Sequence, residues 1–278
     1  MHRGGGGDGQ DQGIHRRHES RARTAPRAGH EPGAAPRALR LDSVGVIDTQ
    51  QPTAPLAVIT YNLWEGRAQG ELRALVDRRD PDAICVQEAR AASLPEWIGG
   101  MRRAVATSRN RLGVALYVRD DRLEVEEART VQLASSRHDR WVGGTDHRLA
   151  ATRVRDRATG RRLVLGSFHA TPFTDSNAAR RRQVDEAHDA LQMLGPGLPS
   201  IMAGDYNHPI LLFMLTQHLR RRGFSMARTA TSTFHRDGNP MRGKFDVATV
   251  SGFEVDEAVT LPQGRSDHLP VLFRMTYA

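Results

Sequence analysis

Ser266-Asp267-His268-Leu269-Pro270-Val271 sets a carboxylate and an imidazole side by side immediately before an apolar run over 269–275. The run reads as a strand, so the pair stands at a sheet edge, where polar side chains can face a ligand. The same arrangement recurs four times upstream. Asn62 follows Val58-Ile59-Thr60-Tyr61, and Glu88 follows Ile84-Cys85-Val86-Gln87. His169 follows Val164-Leu165-Gly166-Ser167-Phe168, and Asp205 with Asn207 follows Ile201-Met202-Ala203-Gly204. Taken singly, each has a bland reading: Asn62 as a loop cap, Glu88 as a solvated strand end, 205–207 as turn chemistry, the histidines as core or surface residues. Five polar strand ends in one chain read as an active site.

The rest of the chain bounds what that site can be. With 278 residues, 38% of them hydrophobic, it can bury a core as one large domain or two small ones. No stretch approaches the roughly 20 apolar residues of a membrane span. Residues 1–52 are rich in Gly, Arg, Pro, His and Gln without strand or helix period, and read as a disordered tail ahead of a catalytic domain over 53–278. The tail has no apolar segment of secretory-signal length, so a cytoplasmic location is expected. Cys85 is the single cysteine, which excludes an intramolecular disulfide and suits a small core residue. Forty basic against 32 acidic residues give a formal charge of +8, and Lys244 is the only lysine. Such a surface favours polyanions, nucleic acid among them, but is equally compatible with phosphorylated small molecules.

From residue 53 onward, short apolar runs alternate with polar helical segments. Strands are predicted over 56–61, 83–87, 113–118, 123–133, 148–155, 161–168, 200–203, 245–250 and 269–275, and helices over 71–79, 94–103, 176–194 and 210–222. Asp175 or Ser176 caps the third helix, and Gly195-Pro196-Gly197 stops it. The alternation predicts an α/β (α+β) fold with mixed sheets.

The chemistry of the strand ends is that of phosphoester hydrolysis. Glu88, Asp205, Asp267 and Asp246 offer hard oxygen ligands suited to Mg²⁺ or Mn²⁺. Two histidines can move protons or stabilise a charged oxygen near neutral pH, and two asparagines can donate to a phosphoryl oxygen.

The ordered series Tyr61-Asn62, Val86-Gln87-Glu88, Phe168-His169, Gly204-Asp205-Tyr206-Asn207, Phe245-Asp246 and 266–271 resembles the endonuclease/exonuclease/phosphatase superfamily of metal-dependent phosphodiesterases. The resemblance covers roughly residues 55–277. It implies a four-layer α/β/β/α sandwich of two mixed sheets, with the site at one edge. It further implies Glu88 as principal metal ligand with Asn62 and Asp267 beside it, and Asp205 positioning or activating the attacking water. Asn207 and Arg148 would contact the phosphate, His268 would be the catalytic histidine oriented by Asp246, and His169 would add a hydrogen bond. Phe168-His169-Ala170-Thr171 is closer to the deoxyribonuclease and sphingomyelinase branches than to abasic-site repair members, which carry a tyrosine there. Aromatic residues are only 5%, which gives a membrane-lipid substrate little support.

The expected function is therefore a monomeric, metal-dependent nuclease of low sequence selectivity acting on DNA. A phosphatase or phosphodiesterase for a small or lipid-linked phosphoester, and a catalytically silent nucleic-acid-binding module, remain alternatives. Substrate choice falls to loops around 135–145, 171–177 and 229–243, where Trp141 and Phe234 are candidate stacking surfaces.

Overall fold

The computed structural model describes residues 54–108, 112–135, 147–172, 174–208, 212–236, 238 and 242–278. The predicted tail over 1–52 and Trp141 lie outside the described residues. Among the described residues, thirteen strands form two sheets. Strands β1 (Leu56–Asn62), β2 (Ala83–Ala89), β3 (Trp97–Ile98), β4 (Met101–Ala106) and β5 (Gly113–Arg119) join β12 (Phe253–Thr260) and β13 (Val271–Tyr277) in a seven-stranded sheet of order β12-β13-β1-β2-β5-β4-β3. Strands β6 (Leu123–Gln132), β7 (His147–Asp156), β8 (Arg162–His169), β9 (Ser200–Asp205), β10 (Ser225–Ala227) and β11 (Asp246–Ser251) form the second, of order β10-β11-β9-β8-β7-β6.

Each sheet is mixed for the same reason. A parallel pair needs a crossover, and in each sheet one helix supplies it. Helix α1 (Leu72–Arg79) links the parallel pair β1–β2, and helix α2 (Asn177–Leu194) links β8–β9. Ser176 caps α2 by accepting from the Ala179 amide, as the sequence predicts. The third helix, α3, spans Leu212–Arg221.

The apolar side chains sort by strand period. Val58, Cys85, Leu116, Leu165, Ile201, Ala203, Ala248 and Phe273 fill the core between the two sheets. Their neighbours Ile59, Tyr61, Ile84 and Tyr117 pack with Leu72 and Val76 of α1 on the outer face of the first sheet. Val164, Phe168, Met202 and Val247 pack with Val184, Leu191, Leu215 and Leu219 of α2 and α3 on the outer face of the second. Strands buried on both faces read as unbroken apolar runs, which is why the central ones are legible in sequence. Cys85 lies in the inter-sheet core, where burial pushes its thiol up to about 12 and leaves it unreactive.

The helix predicted over 94–103 does not form. The segment is the β3–β4 hairpin, with Ile98 paired to Met101 across Gly99-Gly100. Gly99 takes φ +60°, the left-handed conformation such a two-residue turn demands, so turn chemistry overrides the helix-like spacing. Two strands went unpredicted: β10, three residues long, and β12, an edge strand whose outward face carries Glu254 and Asp256.

Gly204 sets the spacing of β8 and β9 just before the site. A Cβ there would lie 1.8 Å from the Phe168 carbonyl oxygen, which is backbone and cannot yield cheaply. Gly204→Ala is expected to destabilise the protein by about 3 kcal/mol or more and to displace Asp205. A urea midpoint equal to wild type would contradict the close approach.

Behind the same sheet, buried His188 is held neutral. Its Nδ1 donates to the Val184 carbonyl at 2.9 Å, and Nε2 then accepts from the Thr249 hydroxyl at 2.8 Å. Burial depresses its pKa to about 3. The unfolded chain protonates His188 near its ordinary value and the native chain does not. Stability is thus fully present above about pH 6.5 and falls as pH drops toward 3, by on the order of 5 kcal/mol at most. His188→Gln should lose less stability than wild type between neutral pH and pH 4.5 in urea titrations. Parallel losses would rule the histidine out as a source of acid lability.

Candidate active site

The C-terminal ends of the two parallel pairs meet across the sandwich. Asn62 ends β1, Glu88 lies near the end of β2, His169 ends β8 and Asp205 ends β9. The Asn62 amide nitrogen donates to Glu88 Oε1 at 3.2 Å and to Asp205 Oδ2 at 3.0 Å, tying one sheet to the other. Asp246 opens β11 directly opposite Asp205, and the loop before β13 delivers Asp267 and His268. Ser266 anchors that loop: its hydroxyl donates to the Asn62 carbonyl at 2.6 Å, and its oxygen accepts from the His268 amide at 3.1 Å.

Backbone strain concentrates here. Among the described residues, five that are not glycine have positive φ. Asp80 ends α1, while Trp64, Glu65, Glu88 and Asn207 all border the site. Each costs roughly 1 kcal/mol or more and is held by its surroundings. Glu88 sits in a register shift between β2 and β5, and such a bulge re-aims the side chain off the sheet face. Asp205 Oδ1 holds Asn207 by accepting from its amide at 2.8 Å.

The electrostatics divide the site into two parts. In the first, His268 Nδ1 and Asp246 Oδ2 are 2.7 Å apart, and Asp205 Oδ2 lies 3.7 Å from His268 Nε2. Burial opposes the imidazolium, but the Asp246 and Asp205 carboxylates outweigh it and raise its pKa to about 10. Asp246 Oδ1 is buried with no hydrogen-bond partner among the described residues, so the contact with His268 dominates that carboxylate. The edges of Phe234 and Phe245 flank the ring, with centroids 5.1 and 6.0 Å away. Phe234, read from sequence as a stacking surface, thus helps to wall in His268.

In the second part, the charges of Glu88 and Asp267 act on each other. Burial works against the Glu88 charge, but His169, the Glu65 amide and the Asn62 amide hold its pKa below the ordinary value. Asp267 is raised, first by burial and then by the nearby Glu88 charge. Two carboxylates whose charges oppose each other in this way suit a divalent cation, which would neutralise both and take their hard oxygen donors as ligands. Asn62 turns its nitrogen toward the carboxylates while its oxygen accepts from the Trp64 amide at 3.0 Å, so in this geometry it bridges Glu88 and Asp205 and offers them no oxygen. Asp205, Asp246 and His268 can each bring one ligand atom within 4.8 Å of the others. The closest of those approaches is the 2.7 Å Asp246–His268 bond, while Asp205 stays 3.7 Å from the ring.

The other residues singled out in the sequence surround this centre. His169 Nε2 lies 3.8 Å from Asp205 Oδ2 and 3.9 Å from Glu88 Oε1, and burial lowers its pKa despite those charges. Burial also raises the Asp205 pKa, with His268 and His169 opposing. Asn207 spends one amide hydrogen on the Ala170 carbonyl at 3.2 Å and keeps a second. Arg148 is buried and donates through Nη1 to the His169 and Ala170 carbonyls, both at 3.1 Å, which braces the end of β8.

The match of the endonuclease/exonuclease/phosphatase family model to residues 59–268 takes in every one of these positions. The chain belongs to that family. Its members are phosphoester hydrolases that generally depend on a divalent metal, and this chain is a phosphoester hydrolase of the same family. The fold agrees with solved structures at low identity. A family member from Bacteroides vulgatus matches with TM-score 0.64 and 18% identity over 81% of this chain and 100% of its own. A mannosyl-6-phosphatase from Bacteroides thetaiotaomicron matches with TM-score 0.61 and 17% identity over 80% and 100%. D. rerio TDP2 complexed with a single-strand DNA product matches with TM-score 0.64 and 15% identity over 81% and 100%. No curated protein sequence matches the chain closely enough to be called a relative.

Proposed function

We propose that the protein is a divalent-metal-dependent phosphodiesterase that cleaves nucleic acid with little sequence selectivity. The observation that carries this reading is the Asp246–His268 bond at 2.7 Å, with Asp205 on the far side of the ring and the Glu88–Asp267 carboxylates alongside. Glu88 and Asp267 would hold Mg²⁺ or Mn²⁺, with Asn62 fixing Glu88. The bound cation supplies charge neutralisation and polarisation at a phosphoryl oxygen.

The chain's own groups do the rest. Asp205, its carboxyl raised by burial, takes the proton of the attacking water as the water oxygen bonds to phosphorus and the P–O bond to the leaving strand breaks, the leaving oxygen taking a proton from solvent. His268, kept charged by its two carboxylates, donates to the phosphoryl oxygen as negative charge builds there. His169 and the second Asn207 amide hydrogen hold the phosphate from the other sheet. Arg148 serves the phosphate through the two carbonyls that it braces. All of these contacts engage the phosphoryl group, which carries no sequence information, and this supports low selectivity. Monomeric state and cytoplasmic location belong to the same proposal. Among the described residues no helix is long and apolar enough to cross a membrane.

The test is cleavage of supercoiled plasmid and of single-stranded circular DNA with Mg²⁺, Mn²⁺ or chelator, beside the His268→Asn variant. Metal-dependent cleavage lost in the variant is expected. Inert DNA together with turnover of sugar phosphates would move the protein to the small-phosphoester reading.

A further inference from the structure

The turn after β1 carries a side chain that the hydrolytic centre leaves unused. Trp64 is half-buried, two residues beyond Asn62, and its amide is held by the Asn62 side chain. The Arg67 guanidinium carbon lies 3.9 Å from the Trp64 ring centroid, and that of Arg236 lies 5.4 Å from it. Arg236 comes from the opposite rim, next to His235, whose amide donates to the Asp267 carbonyl at 2.8 Å. Arg67 and Arg236 are exposed, and among the described residues neither is in an ion pair. An indole with two guanidinium groups against it, neither of them ion-paired among the described residues, therefore stands two residues from Asn62.

The turn is rigid. Arg90 Nε donates to the Glu65 carbonyl at 3.0 Å, and the Arg90 side chain packs so tightly on Gly66 that a Cβ there would lie 2.9 Å from its Cγ. Gly66 also lines a cavity of about 500 Å³ together with Arg73, Arg90, Ser93 and the exposed Trp97; Trp64 is not part of its wall. Aromatic faces interleaved with arginines along a groove bind single strands, because every base has a face to stack and every nucleotide carries a charge. A duplex keeps its bases stacked on one another and offers no such face away from its ends.

We propose that Trp64, flanked by Arg67 and Arg236, is the subsite for the nucleotide next to the scissile phosphate, and that it makes unpaired single strands the preferred substrate. This rests on the nuclease reading and names its substrate. Trp64 takes the base by stacking. Arg67 and Arg236 take the adjoining phosphates.

The test uses the full chain in chelator, where binding is read without cleavage, with a fluorescent dT 12-mer and a fully abasic 12-mer of the same charge as probes. Trp64→Ala is expected to weaken the dT 12-mer about 10-fold or more and to change the abasic strand less than 3-fold. Trp64→Phe, which keeps an aromatic face, should recover most of the loss. Arg236→Ala should weaken both probes together, since it removes charge and no stacking surface. Equal affinity of wild type and Trp64→Ala for the dT strand, in a protein that cleaves DNA with metal, would overturn the subsite and leave the nuclease reading intact. A wild type that neither binds nor cleaves either strand would overturn both.

Discussion

Exchange of His268 for asparagine should lower turnover roughly 10³-fold with little change in melting temperature. Asparagine places an amide nitrogen near the position of the imidazole Nδ1, so the Asp246 carboxylate retains a donor. That matters because its other oxygen is already buried without a partner, and a fully unpaired carboxylate there would threaten the fold itself. What asparagine cannot supply is a positive charge next to the phosphoryl group. The loss should therefore fall on kcat and spare KM, which marks an interaction made in the transition state. Unimpaired kinetics would remove His268 from the chemistry, whereas a large fall in melting temperature would recast it as a structural residue. In wild type the two carboxylates raise the imidazole pKa to about 10, so turnover should show no alkaline fall near the ordinary histidine value.

Removal of the Glu88 carboxylate should be comparably severe. Glu88→Ala takes away the principal proposed ligand and frees the Glu65 amide and the Asn62 side chain, both of which donate to it. Loss of an outer partner of a metal ligand already costs about 10- to 100-fold in affinity, and loss of the ligand should exceed that. Activity is expected to fall by at least about 100-fold. Calorimetric titration with Mn²⁺ should show weaker binding, and the rise in melting temperature that the ion gives wild type should shrink with it. Unchanged affinity would mean that the cation sits elsewhere. Glu88→Gln separates the roles, because it keeps an oxygen for both donors and removes only the charge.

Much of the molecule was legible because its strands are buried on both faces. Runs such as Val58-Ile59-Thr60-Tyr61 and Ile84-Cys85-Val86-Gln87 stay apolar almost throughout, and the polar residue that ends each run marks the sheet edge. Strand β12 escaped because it lies at an edge with one face in water, so its charges hid its period. The hairpin over 97–106 was misread because its apolar residues recur at helical spacing, and only Gly99-Gly100 marks the turn. At the site, the identity of the polar strand ends could be read, and their orientation could not. Nothing local says that Asn62 turns its nitrogen inward or that Arg148 is committed to two carbonyls. The approach of Arg236 to Trp64 was equally invisible, since it joins segments far apart in the chain that meet only after both sheets form.

The place of β13 in the first sheet has a consequence for the timing of synthesis. This strand lies between β12 and β1 rather than at an edge, and the loop that leads into it carries Asp267 and His268. A ribosome-bound chain that has emerged only through β12 has an open slot beside β1 and lacks His268, so the Asp246–His268 pair is completed last, when residues 267–277 thread into that slot.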